Sequence, residues 1–218
     1  MIIIKNIILW SGGGDSTYLI YKLTTENPKE LYHVVFYENP IFVNYNNYIK
    51  IKLQNILKKF NNMGIDNIIF QENKLYFNVE KIKYPTLYPT IPLSYHFDLI
   101  QYFDQETKVY QGFIKEDAEF HNKYLFFNLY DLFSKFLNLK LNIEFPLEYI
   151  SKINIIENLI KLNLHKDVTY CVNIDEKGNS CNKCRNCLMQ EMAIGGLYVK
   201  NYNKSLLDII PKEYDIKW

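Results

Sequence analysis

One-sided charge is missing from this sequence. Its 25 Lys and Arg balance 24 Asp and Glu, for a formal net charge of +1. A general nucleic-acid footprint is therefore excluded, and only a local patch is left open. Long hydrophobic runs are missing too. No segment reaches membrane-spanning length, so no membrane partner is expected. The N-terminal apolar run is short and lacks a small-residue cleavage site, so it does not read as a signal peptide. Cysteine is scarce: four residues, none before Cys171. In the cytoplasmic, reducing setting these absences imply, such thiols are metal ligands sooner than disulfides. Glycine numbers eight, and three of those are consecutive. Tyr (19) and Phe (14) are plentiful, as are Ile, Asn and Lys, a compositional bias that carries no function. The length suits one domain with a real core plus an appendage. No internal repeat or low-complexity linker stands out.

The three glycines sit in Ile7-Ile8-Leu9-Trp10-Ser11-Gly12-Gly13-Gly14-Asp15-Ser16-Thr17. The run Ile2 to Leu9 reads as a buried strand with apolar neighbours on both faces. The chain then turns through glycine and enters a helix, about Ser16 to Thr25, with Leu19, Ile20 and Leu23 at helical spacing. A strand, a glycine-rich turn and a helix start form an anion site. Glycine lets the backbone approach a ligand, and the first helical N–H groups have no internal partner. Ser11, Ser16 and Thr17 add hydroxyls. Asp15 would repel a phosphate, so it is expected to cap the turn or to help hold Mg²⁺. The P-loop pattern fails here for want of a Lys, and the dinucleotide pattern fails because Thr17 stands where Gly or Ala is required.

Further along, Leu31 to Tyr37 reads as a second strand and Asn47 to Met63 as an amphipathic helix stopped by Gly64. Asn67 to Gln71 reads as a third strand. β-α-β-α-β order implies a parallel sheet with right-handed crossovers. Pro85, Pro89 and Pro92 forbid a long helix, so Glu72 to Leu93 reads as loop. Leu93 to Phe103 reads as helix, and Lys108 to Phe113 as a fourth strand with Gly112 at its end. Ligands of such sheets lie beyond the carboxyl ends of the strands. Gly112, Lys115, Glu116 and Asp117 are thus candidate substrate-binding residues, with a plain polar loop as the alternative. Lys123 to Leu137 reads as an apolar helix, Leu141 to Phe145 as a fifth strand, and Tyr149 to Asn163 as a helix after Pro146. Lys152 near the start of that helix opposes its dipole unless an anion is close. It hints at a phosphate contact, with a solvated surface lysine as the alternative.

Composition shifts at Asp167, which divides the chain into an α/β nucleotide-binding domain (1–166) and a cysteine-bearing, helical C-terminal region (167–218). The cysteines follow the pattern Cys171-x₉-Cys181-x₂-Cys184-x₂-Cys187. Thiolates at this spacing can wrap a tetrahedral ion, and four of them close its shell, so a structural zinc is expected. Lys183 and Arg185 would offset excess negative charge, and Gly178 would let the connecting loop turn. An iron–sulfur cluster or four unligated thiols are the alternatives.

The run Ser11-Gly12-Gly13-x-Asp15-Ser16 resembles the pyrophosphate loop of the N-type ATP pyrophosphatase superfamily. Taken with Pro146-Leu147-x₃-Ser151-Lys152-x₂-Ile155, Thr169-Tyr170-Cys171 and the cysteine series, the chain resembles the 7-cyano-7-deazaguanine synthase (QueC) family. The resemblance implies an α/β fold with an open parallel sheet of about five strands, helices on both faces, and a small zinc-binding region. It implies a cytoplasmic ligase that uses ATP and Mg²⁺ to adenylate 7-carboxy-7-deazaguanine. Ammonia then gives the amide, and a second activation dehydrates it to the nitrile. Ser11, Gly12, Gly13, Gly14, Asp15 and Ser16 carry over as the ATP site. Asp15, Ser16 and Lys152 carry over as catalytic residues, and Cys171, Cys181, Cys184 and Cys187 as zinc ligands. A homodimer is implied on the same ground.

The sequence departs from the family where the substrate is read. Tyr37-Glu38-Asn39-Pro40 replaces Gly-Gln-Arg-His, Thr90-Ile91-Pro92-Leu93 stands near Pro-Gly-Arg-Asn, and Glu116 to Phe120 replaces the base-recognition stretch. A divergent enzyme adenylating another carboxylate, base or protein terminus is therefore the alternative, beside an inactive zinc-stabilised binding module. A tRNA thiolase of the same superfamily would need a spare cysteine and a basic surface, and the sequence has neither.

Overall fold

A computed structural model describes residues 5–38, 43–74, 95–114, 123–171, 174–175 and 179–199, the side chains of 43–45, 185 and 197–199 excepted. Five strands form one sheet: β1 (Asn6–Leu9), β2 (Tyr32–Glu38), β3 (Ile68–Lys74), β4 (Glu106–Tyr110) and β5 (Lys140–Glu144). The spatial order is β3-β2-β1-β4-β5 and every pairing is parallel. Ile8 is the hub of the register, opposite Val34 on one side and Tyr110 on the other. Among the described residues five helices of ten or more residues accompany the sheet: α1 (Gly14–Glu26), α2 (Val43–Asn62), α3 (Lys123–Leu137), α4 (Lys152–Lys161) and α5 (Arg185–Val199).

The strand order dictates where the helices go. β1 to β3 step one way from β1, and β4 to β5 step the other way. Crossovers of a single hand then place α1 and α2 on one face and α3 on the opposite face. Burial follows that division. Ile8, Trp10, Tyr32, Val34, Phe36 and Tyr110 pack with Leu19 and Ile20 of α1, Leu53 and Ile56 of α2, and Leu159 of α4. The alternate residues Ile7, Leu9, Val35, Tyr37 and Val109 pack with Phe126, Tyr130 and Phe133 of α3. Period-two alternation with both sides apolar is the pattern of a sheet buried on both faces.

Several expected boundaries moved for local reasons. The segment expected as a helix over 93–103 is helical over 95–98 and tightens to a 3₁₀ turn at Leu99–Tyr102, where Phe103 N–H donates to the Ile100 carbonyl. β4 runs from Glu106 to Tyr110 rather than from Lys108 to Phe113, so Gly112 lies beyond the strand. α4 starts at Lys152 rather than Tyr149. Residues after Pro146 turn first, and Ser151 then caps the helix by accepting the Asn154 N–H at 3.3 Å. The proline-rich stretch, Gly178 and residues 2–4 of the first expected strand lie outside the described residues. Among the described residues no helix is long and apolar enough to cross a membrane.

Candidate functional site

Strand order reverses between β1 and β4. Open parallel sheets take their ligands at such a point, outside the carboxyl ends of the strands. The turn from β1 into α1 lies there. Trp10 fixes its start: its N–H donates to the Val35 carbonyl, and its indole N–H donates to Thr17 Oγ1 at 2.9 Å. Gly12 has φ +75°, a conformation that side chains disfavour, and a Cβ there would come within 2.5 Å of Ile49 Cδ1. The turn is braced from within. Ser11 N–H donates to Ser16 Oγ, the two hydroxyl oxygens lie 2.9 Å apart, and Ser16 Oγ donates to the Gly13 carbonyl. Gly112 closes the other side. A Cβ on it would lie 3.0 Å from the backbone of Ser16, so β4 brings its end directly against the start of α1.

Asp15 does not cap the helix. The N-cap residue is Gly13, which has no side chain to cap with. The Asp15 carboxylate instead takes Lys152 Nζ on both oxygens, at 2.7 and 2.5 Å. Both side chains are largely buried, that of Lys152 12% exposed and that of Asp15 20%. Lys152 is accordingly not a solvated surface lysine. The anion that offsets its unfavourable place at a helix start is Asp15, in the first turn of α1. The pair joins the N-termini of α1 and α4 and brings one charge of each sign to the glycine turn.

Two residues that sequence reasoning used only as part of a motif prove to line this turn. Thr169 N–H donates to the Gly12 carbonyl at 3.1 Å. The Tyr170 ring occupies the space that a Cβ on Gly14 would need, 2.9 Å from it, and lies 5.7 Å from Lys152 Nζ. Their signal in the sequence was position alone: they directly precede Cys171.

Cys171, Cys181, Cys184 and Cys187 come together, with all four sulfurs within 4.8 Å of one another. Cys171 and Cys181 lie 3.5 Å apart, Cys184 and Cys187 3.5 Å, and Cys171 and Cys184 4.0 Å. A tetrahedral zinc thiolate centre puts its sulfurs about 3.8 Å apart, from Zn–S bonds of about 2.3 Å. The donor set therefore fits one closed tetrahedral ion. A polynuclear cluster would have to spread the sulfurs around its own metal and sulfide atoms, and a disulfide needs about 2.05 Å. Asn182 takes φ +53° to turn the chain between Cys181 and Cys184. Asp175 and Asn179 close the preceding loop with reciprocal bonds. The backbone N–H of Lys183 holds the Cys181 thiol down to about 6, which favours the thiolate a metal requires. Burial pushes the Cys187 thiol the other way. Of the expected substrate contacts, Gly112 reaches the turn, while Lys115, Glu116 and Asp117 lie outside the described residues.

Fold and site together define a class: a doubly covered parallel α/β protein with a glycine turn at its switch point and, beside it, a cluster of four cysteines able to hold a metal ion. A protein-family model described as Queuosine biosynthesis protein QueC matches residues 98–197. That match, over 100 of the 218 residues, supports membership of the QueC family. The match spans β4, α3, β5, α4 and the cysteines, and the glycine turn lies ahead of it. No curated protein matches the sequence.

Proposed function

We propose that this chain is an ATP-dependent ligase that converts 7-carboxy-7-deazaguanine and ammonia to 7-cyano-7-deazaguanine. The observation that carries the reading is the Asp15–Lys152 contact. It sets a carboxylate and an ammonium, each on a helix N-terminus, beside a glycine turn at the switch point. A carboxylate resists attack by ammonia because oxide is a poor leaving group, and adenylation replaces oxide with AMP. Such a step asks a protein for position and charge neutralisation. The N–H groups of Gly14, Asp15 and Ser16, which have no acceptor within α1, suit a pyrophosphate. On binding, Lys152 exchanges the Asp15 carboxylate for phosphate oxygens, and Asp15 becomes available to Mg²⁺. Mg²⁺ supplies further neutralisation of phosphate charge. The same loop serves both activations: the carboxylate attacks the first ATP and releases pyrophosphate, ammonia displaces AMP to leave the amide, and the amide oxygen attacks the second ATP, releasing a second pyrophosphate, before it departs with AMP as the nitrogen loses its two protons to give the nitrile. A structural zinc in the four-cysteine site takes no part, since a closed shell offers no open position.

One observation favours a second reading, a divergent enzyme acting on another acceptor. At the end of β2, where the family pattern has Gly-Gln-Arg-His, Tyr37 donates to Asp98 and stacks on Tyr95. Glu38 there is tied through Lys50 to Glu72, both at 2.5 Å. Release of AMP from ATP, assayed with 7-carboxy-7-deazaguanine and ammonium, separates the readings. AMP formed only with a different acceptor supports the second.

The expected homodimer also has a candidate face. Leu125, Leu132 and Phe136 are exposed along α3, and with Leu129 they repeat at the four-three-four spacing of a helix-pairing seam.

A further inference from the structure

The segment Thr169-Tyr170-Cys171 belongs to two sites at once. At one end Cys171 offers its sulfur to the metal centre, where the Cys181 N–H also donates to it at 3.3 Å. At the other end Thr169 bonds the carbonyl of Gly12. Between them the ring of Tyr170 rests on Gly14 and faces Lys152. The chain leading into the segment is held by α2. Lys59 reaches the Asp167 carboxylate at 2.6 Å and the Asn163 carbonyl, and Lys52 reaches the Lys166 carbonyl at 2.8 Å. The helix that carries Cys187 is held as well: a Cβ on Gly196 of α5 would come within 2.6 Å of Ile153 Cδ1, one residue from Lys152.

We propose that Tyr170 is a positioning residue that couples the four-cysteine centre to the glycine turn, so that a filled centre strengthens nucleotide binding. The inference rests on the reading of that turn as a phosphate site. Its physical basis is entropic and electrostatic. A metal fixes Cys171, which fixes the residue beside it. The aromatic face then restrains the Lys152 ammonium by cation–π attraction, while the ring sets the distance between α4 and the turn. A lysine restrained in place loses less freedom when it takes a phosphate. Coupling of this kind is reciprocal, so nucleotide must also tighten the hold on zinc.

The test uses the full, zinc-loaded chain and α,β-methylene-ATP, with zinc content measured for every protein. Tyr170→Ala is expected to keep its zinc and its circular dichroism but to bind the nucleotide about 5- to 50-fold more weakly. Tyr170→Phe, which keeps the ring, is expected to bind like the wild type. Zinc release to a chromogenic chelator is expected to slow in the wild type when nucleotide is saturating, and not to slow in Tyr170→Ala. If Tyr170→Ala loses zinc or unfolds, Tyr170→Leu replaces it under the same criteria, since it keeps bulk against Gly14 without a π face. Wild-type affinity in the zinc-loaded variant overturns the coupling and leaves the phosphate reading intact. No binding of nucleotide to the wild type overturns both.

Discussion

Lys152 contacts both carboxylate oxygens of Asp15 across 137 residues of chain. The pair makes each helix start acceptable to the other: the carboxylate suits the N-terminus of α1 and cancels a cation misplaced at that of α4. Removing either partner takes from a mostly buried charge its opposite charge in this contact. Asp15→Ala is expected to cost about 1–2 kcal/mol, and Lys152→Ala a similar amount, while the double variant costs less than their sum. Urea unfolding of the four proteins checks this, and strict additivity would show that the contact contributes nothing.

Gly12 and Gly64 separate backbone strain from crowding. Both have positive φ, at +75° and +78°. Nothing lies within 4 Å of a Cβ on Gly64, whereas one on Gly12 meets Ile49 and Leu53 of the core. Gly64→Ala is expected to cost about 1 kcal/mol, the left-handed backbone penalty alone. Gly12→Ala adds overpacking and is expected to cost about 2–4 kcal/mol. Equal losses in thermal or urea unfolding would mean that Ile49 gives way.

His96 is fully buried, with Nδ1 2.8 Å from the Tyr130 hydroxyl, and burial lowers its pKa to about 3. Burial lowers that of His33 as well. The unfolded chain takes a proton on His96 near pH 6.5, and the folded chain does not. Its contribution to stability is therefore complete above pH 6.5 and is lost as pH falls toward 3. At pH 5.5 the loss from His96 alone is about 1.4 kcal/mol relative to pH 7.5. Urea midpoints across that range check it, with His96→Asn as the variant expected to flatten the slope.

The α3 seam makes a prediction about assembly. Phe136 is 86% exposed. Phe136→Glu is expected to shift a dimer to monomer in sedimentation without lowering monomer stability. An unchanged dimer would place the interface elsewhere.

The sheet was legible because its signals are local. Unbroken apolar runs at Ile7 to Leu9 and Val34 to Tyr37, each followed by a helical stripe, specify parallel strands covered on both faces. Strand order was not legible in that way, because nothing local says that β4 rather than β3 lies beside β1. Cysteine spacing anticipated the four-sulfur cluster, since three of its members lie within seven residues, Cys181 to Cys187. The partnership of Asp15 with Lys152 was visible only as an anomaly, a lysine at a helix start, and its resolution lay far away in the chain. Tyr170 gave no such anomaly. Its place against Gly14 comes from the packing of α4 and the cysteine segment on the turn, which is a tertiary relation.

The central claim is that the glycine turn and the Asp15–Lys152 pair hold ATP while a carboxylate is activated. Its most direct test measures AMP and nitrile together, from ATP, Mg²⁺, ammonium and 7-carboxy-7-deazaguanine, in wild type and Asp15→Asn. The account predicts two AMP for each nitrile in the wild type and neither product in the variant. AMP and nitrile from Asp15→Asn at the wild-type rate would contradict it.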